Sequence, residues 1–156
     1  MTNENIAWVA GLFEGEGTFE IQYGNGPKGI KITSTDLDVL HNVQNIFGGK
    51  VLTAKNPEDK PHWKTKFNWV LGIDESIEFV ELILPYLGIR RSSRGSFYLT
   101  IAKEAKKIRD TFKINQADRH TKILELSVAG KTHKQIADAI GLERSSVSKI
   151  LKNLTN

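Results

Sequence analysis

Apolar and small residues recur four apart between Ile6 and Glu14: Val9 with Phe13, Trp8 with Leu12, and a third stripe of Ala7, Gly11 and Gly15. That spacing predicts a helix that is apolar or small on every side, and so one buried all round. The period then changes to two. In "TFEIQY", residues 18–23, Phe19, Ile21 and Tyr23 share one face, with Thr18, Glu20 and Gln22 on the other, the pattern of a half-buried strand. "GNGPKG" at 24–29 predicts a turn, and "IKIT" at 30–33 alternates again. Asp36 stands where it can cap a helix through Leu37, Leu40, Val43 and Phe47, which Gly48 and Gly49 end. Residues 50–55 predict a strand, "NPEDKP" a loop, and Lys64–Ile73 a strand with Phe67, Trp69 and Leu71 inward. Asp74 opens a helix to Leu84. Pro85 and Gly88 break the chain, and a helix is expected from Ser96 to Phe112.

Two hairpins among these helices predict an α+β fold, with an antiparallel sheet covered by helices on one face. The uncovered face would carry Glu20, Gln22, Lys31, Thr33, Lys64, Lys66 and Asn68. Such a polar, mostly cationic surface fits either plain solvation or a nucleic-acid groove.

From Asp118 the pattern is helical only. "TKILELSVAG" ends in Gly130, Thr132 caps "HKQIADAIG", Gly141 turns the chain, and "ERSSVSKILKNL" follows. Ala137, Gly141, Val147 and Ile150 fall where a helix-turn-helix needs a small crossing residue, a left-handed turn and two anchors, and Ile136 and Leu142 fill the gap. The last helix would then expose Arg144, Ser145, Ser146, Ser148, Lys149 and Lys152, donors for phosphates and base edges. The alternative is a structural three-helix bundle. The expected division is 1–112 for the mixed domain and 113–156 for a linker and this small all-α module.

Charge sharpens the division. Lys and Arg balance Asp and Glu over residues 1–112, whereas residues 113–156 hold eight cations against four anions, the whole excess of +4. A basic terminal module suits an anionic partner. With no cysteine, the chain offers no disulfide or thiolate metal site, which fits a reducing cytoplasm. The four histidines show no ligand spacing. No apolar run approaches the ~20 residues of a membrane span, and the N-terminus lacks the basic start of a secretory signal.

One stretch breaks local rules. Glu14 and Glu16 alternate with Gly15 and Gly17 at the C-terminal end of the first helix, where the helix dipole disfavours carboxylates by roughly 0.3–1 kcal/mol each. A plain helix-to-strand turn would tolerate them, and so would a site needing clustered acids.

"VAGLFEGEG", Val9–Gly17, resembles the signature of LAGLIDADG homing endonucleases. It matches at Ala10, Gly11, Leu12 and Gly17. Val9 and Phe13 are apolar as the pattern asks, Glu14 and Glu16 replace the two aspartates, and Gly15 replaces the middle alanine. The order of elements over residues 5–112 is similar to that family's αββαββα core, and "LPYLGIRRSSRGSFYLTI" looks like its segment bearing a basic catalytic-site residue, here Arg90. The resemblance implies a homodimer, since one motif per chain must pair with another through the stripe Ala7, Gly11 and Gly15. It implies Mg²⁺ held by Glu16 and the Gly15 carbonyl, Arg90 facing phosphate charge, and Ser34 or Thr35 positioning water. Glu14 would be structural, near the dimer interface. The implied activity is cleavage of a long, near-palindromic double-stranded DNA site, in a cytoplasm whose phage, bacterial or organellar origin stays open. A non-cutting DNA-binding regulator and an intron RNA maturase are the other activities that fit such a fold.

Overall fold

The computed structural model describes residues 1–22, 24, 26–54 and 62–154. Tyr23, Lys55 and the "NPEDKP" loop lie outside them. Two compact units divide the chain, residues 1–106 and 107–156.

The first unit is the α+β domain. Its elements are α1 (Asn3–Glu16), β1 (Gly17–Gln22), β2 (Gly26–Ser34), α2 (Leu37–Phe47), β3 (Lys50–Ala54), β4 (Lys66–Leu71), α3 (Ile73–Ile83), a 3-10 turn (Leu84–Tyr86) and the beginning of α4 (Ile89–Val128). All strand pairs are antiparallel, in the order β1-β2-β4-β3. The alternation read from the sequence puts Phe19, Ile30, Ile32, Trp69 and Leu71 in the core. There they meet Val9 and Phe13 of α1, Leu40 and Val43 of α2, Phe79, Val80 and Ile83 of α3, and Tyr98 and Ala102 of α4. Burying each large apolar side chain contributes roughly 1.5–3 kcal/mol. The one polar residue in this buried set, Ser76, donates to the Ile73 carbonyl at 2.8 Å and accepts the Tyr98 hydroxyl at 2.6 Å. Burial pushes the Tyr98 phenol up from its ordinary value.

Four expectations are corrected. First, α1 is longer than its apolar run and is not buried all round: it starts from a Thr2 cap and keeps Glu14 and Glu16 inside the helix. Ala7, Trp8, Gly11 and Gly15 are exposed, and nothing lies within 4 Å of a methyl built on Gly11 or Gly15. Second, β2 begins at Gly26, so "GPKG" is strand. A side chain at Gly29 would overlap the Leu71 carbonyl of the neighbouring strand, and only glycine lets the two backbones approach. Third, β4 starts at Lys66, so Lys64 is not on the sheet face. Fourth, "IRRSSRG" and the 113–117 linker are helical, and α4 runs unbroken through 40 residues. Gly88 precedes its first turn, the Ser92 and Ser93 hydroxyls bond back to the Ile89 carbonyl, and Gly95 lies inside the helix against Leu84 and Phe19, where a methyl would stand 2.8 Å from Leu84 Cδ1.

The second unit is the rest of α4 with α5 (His133–Ile140) and α6 (Arg144–Leu154). Ile123, Ile136, Ala137, Val147 and Leu151 form its core, with Ile140, Leu142 and Ile150 packed against them. Thr132 opens α5 with a capping box: its hydroxyl accepts the Gln135 N–H, and the Gln135 side chain accepts the Thr132 N–H at 2.9 Å. Gly141 closes α5 at φ 67°, the left-handed conformation that the turn demands.

Candidate active site and nucleic-acid interface

The α1–β1 junction has no loop. Glu16 is the last residue of α1, Gly17 the first of β1, and the helix therefore delivers Glu16 directly to the rim of the sheet. Glu16 is exposed and lines a hollow of about 340 Å³ with Thr33, Ser34, Thr35, Asp36 and Lys66. Five of the residues that the sequence singles out, Glu16, Thr33, Ser34, Thr35 and Lys66, thus share one depression. Asp36 joins them without having been foreseen. Its carboxylate makes no capping bond to α2; instead its N–H donates to Ser34 Oγ at 3.0 Å, which orients the Ser34 hydroxyl.

Arg90 is not among those lining residues. It is exposed at the second position of α4. Two long-range bonds link its segment to the motif. Glu14 Oε2 accepts the Gly88 N–H at 3.1 Å, and Arg91 NH1 donates to the Gly17 carbonyl at 2.7 Å. Glu14 therefore sits at the wrong end of α1 but at the favourable N-terminal end of α4, where the dipole and a free amide both welcome a carboxylate. Sequence reading treated Arg91 as scenery next to Arg90. Its half-buried guanidinium carries an Nε–H that is buried with no partner among the described residues, and such an orphan donor costs about 1–3 kcal/mol.

The donors near Glu16 suit a hard cation. The Glu16 carboxylate and the Gly15 carbonyl, one of those beyond the last i→i−4 bond of the helix, Gly17 N–H to Phe13 O, are oxygen ligands. Among the described residues, no three His, Cys, Asp or Glu side chains converge. One chain therefore brings at most two carboxylates, Glu16 and Asp36, to the hollow, and Mg²⁺, which takes octahedral oxygen and keeps several waters, would need the rest from solvent, phosphate or a second chain.

The uncovered face of the sheet is organised in cross-strand pairs. Lys31 Nζ donates to Glu20 Oε1 at 2.8 Å, and Thr33 Oγ1 donates to Asn68 Oδ1 at 2.7 Å. Gln22 is exposed at the end of β1, and Lys66 Nζ lies 5.1 Å from the Trp63 ring centroid, a cation–π contact. The registers put Lys50 opposite Val70 and Val70 opposite Lys31, so Lys50 joins the face. Strand alternation could have found it.

On α6, Arg144, Ser145 and Lys149 are exposed, whereas Ser146 and Ser148 are half-buried. Ser148 Oγ is 2.8 Å from His133 Nδ1, which ties α6 to α5. Ser145 Oγ donates to Glu143 at 3.3 Å.

Among the described residues no helix is long and apolar enough to cross a membrane. No curated protein matches the chain. Solved structures do. The archaeal intron-encoded homing endonuclease I-Vdi141I, complexed with DNA, superposes with a TM-score of 0.54 at 14% identity, covering 97% of this chain and 96% of that one. The homing endonuclease I-CvuI, in complex with an I-CreI target, gives a TM-score of 0.50 at 18% identity over 98% and 96%. These likenesses carry the fold: helices over a four-stranded antiparallel sheet. The sequence profile of the LAGLIDADG-like domain matches residues 3–103, from the Thr2-capped start of α1 to the middle of α4. With a motif helix that ends in Glu16 at the edge of a polar sheet face, the chain belongs to the LAGLIDADG family.

Proposed function

We propose that the chain is a site-specific endonuclease that hydrolyses double-stranded DNA as a homodimer with Mg²⁺. The observation that carries this reading is the hollow in which Glu16, Ser34, Thr35 and Lys66 meet at the rim of a polar sheet face, in a chain of this family. One feature supports a second copy: the exposed stripe of Ala7, Gly11 and Gly15. A two-fold axis along that stripe would bring two Glu16 side chains together.

Glu16 and the Gly15 carbonyl would hold Mg²⁺, which when bound supplies a hydroxide-like water and charge neutralisation. Ser34 or Thr35 orients the water whose oxygen bonds to phosphorus as the bond to the 3′ oxygen breaks. That water's proton leaves to solvent, and the departing 3′ oxygen takes one up. Arg90 opposes the charge building on the phosphate oxygens. The paired side chains Glu20, Lys31, Thr33 and Asn68, with Gln22 and Lys66, meet base edges and phosphates. Arg144, Ser145 and Lys149 of α6 clamp the flanking duplex, where the excess positive charge of residues 113–156 lies.

The test is selection of cleaved sites from a randomised duplex library with Mg²⁺, beside Glu16→Gln. The wild type should return a long, near-palindromic site, and Glu16→Gln should bind that site without cutting. A wild type that enriches a bound site and never cuts it supports the regulator reading, which the α5–turn–α6 geometry favours. Equal cutting by Glu16→Gln removes Glu16 from the chemistry.

A further inference from the structure

The two bonds that tie the end of α1 to the start of α4 share one sequence offset. Glu14 pairs with Gly88 and Gly17 with Arg91, each 74 residues apart. Glu16 lies between the first members of these pairs, and Arg90 lies between the second. The segment holding the carboxylate and the segment holding the guanidinium are therefore registered on both sides of both groups. The two bonds differ in kind. Glu14 supplies an acceptor to an exposed amide. Arg91 spends a half-buried guanidinium on one carbonyl and leaves its Nε–H buried and unpaired. An apolar side chain of similar length, such as methionine, would avoid that cost. What methionine cannot do is hold the Gly17 carbonyl.

We infer that Arg91 is a positioning residue of the candidate active site: its grip on the Gly17 carbonyl sets where the Glu16 carboxylate and the Gly15 carbonyl stand relative to Arg90. The inference rests on the nuclease reading above. The Gly17 carbonyl belongs to the Gly17–Thr18 peptide, one residue beyond Glu16 with no loop between them, so anchoring that peptide limits how far the Glu16 backbone can swing about the Gly17 torsions. Arg91 touches no reacting atom and acts through that peptide. Outer partners of this kind typically change metal affinity or activity by ~10–100-fold when removed.

The experiment uses the full chain with the duplex recovered from the library, or without DNA where none is recovered. Mn²⁺ is titrated into wild type, Arg91→Met, Arg91→Lys and the surface control Lys106→Met, following paramagnetic broadening of the Gly15 and Glu16 amides. Single-turnover cutting, duplex Kd and thermal unfolding are measured alongside. Arg91→Met should raise the Mn²⁺ half-saturation by ~10-fold or more and slow cutting ~10–100-fold, with duplex Kd and unfolding close to wild type. Arg91→Lys, which keeps a donor for the carbonyl, should recover most of both. Wild-type Mn²⁺ binding in Arg91→Met overturns the inference. So does a fall in rate that follows loss of fold and that lysine does not rescue. A wild type that binds Mn²⁺ at Glu16 but cuts nothing sinks the nuclease reading while the titration still reads Arg91. A wild type with no broadening at Glu16 overturns both.

Discussion

Replacing Glu14 separates its hydrogen bond from its charge. The carboxylate lies in the last turn of α1 and accepts the amide that precedes the first turn of α4. Its charge is disfavoured by one helix dipole and favoured by the other, each by roughly 0.3–1 kcal/mol, so the two effects nearly cancel. The bond itself remains. Bonds to charged groups contribute roughly 1.5–3 kcal/mol, and partial exposure of this one brings it to the low end, about 1.5 kcal/mol. Glu14→Ala loses the bond and gains a little helix propensity, for a net loss of about 1 kcal/mol. Glu14→Gln keeps a carbonyl oxygen for Gly88 and should lose about half as much, because a neutral acceptor is roughly half as strong. Trp8, Trp63 and Trp69 all lie within residues 1–106, so tryptophan fluorescence follows this unit alone. For a unit of this size, 1 kcal/mol shifts Tm by roughly 4–8 °C. Expected, then, is a drop of that order for alanine and a smaller one for glutamine. A glutamine variant as unstable as the alanine variant would mean that charge, not the bond, is what α4 receives from Glu14. An alanine variant as stable as wild type would remove the clamp altogether.

Three further outcomes follow from the cores and the surface. Tyr98 has its phenol pKa raised by burial, so its contribution is complete below the unfolded value of about 10 and is lost as pH rises through the folded value; urea melts from pH 9 to 11 should show that loss in wild type and less of it in Tyr98→Phe. Ile123→Ala should cost roughly 2–5 kcal/mol in a core of five buried residues, enough to unfold residues 107–156 by NMR while the tryptophan transition stays put. If α6 meets phosphates, Arg144→Ala and Lys149→Ala should each lower the salt slope of duplex binding by about 0.9, measured by titration from 50 to 200 mM salt, and unchanged slopes would take α6 off the DNA.

Local pattern carried much of the fold. Period-two runs placed Phe19, Ile30, Ile32, Trp69 and Leu71 inside, and the 137–150 spacing placed Ala137, Gly141 and Val147. The misses have two causes, tertiary contacts at the glycines and short-range hydroxyl bonds at the serines. Gly29 and Gly95 look like breakers until the Leu71 carbonyl and the Leu84 and Phe19 side chains are seen to need the missing Cβ. Ser92 and Ser93 look like a loop until their hydroxyls turn back onto Ile89. At the candidate site Glu16 and Ser34 come from the family resemblance, and the fold brings the end of α1 and the end of β2 to one hollow. The partners of Glu14 and Arg91 were not legible, since each lies 74 residues away and neither has a local signature.

The cross-strand pairs have a consequence for how this surface can change. Glu20 with Lys31, and Thr33 with Asn68, already satisfy each other in the free chain. Any molecule that engages one member must either leave its bond intact and use the remaining lone pairs or protons, or displace the neighbour. A substitution at Thr33 therefore re-aims Asn68, and one at Glu20 frees Lys31. If this face reads DNA, the heritable unit of recognition on it is the pair, and the effects of single changes should not sum. A library that varies one position at a time would sample mostly broken intermediates, whereas one that varies the two couples jointly moves between intact surfaces. Drift towards a new target would follow the same route, through compensated double changes across β1–β2 and β2–β4.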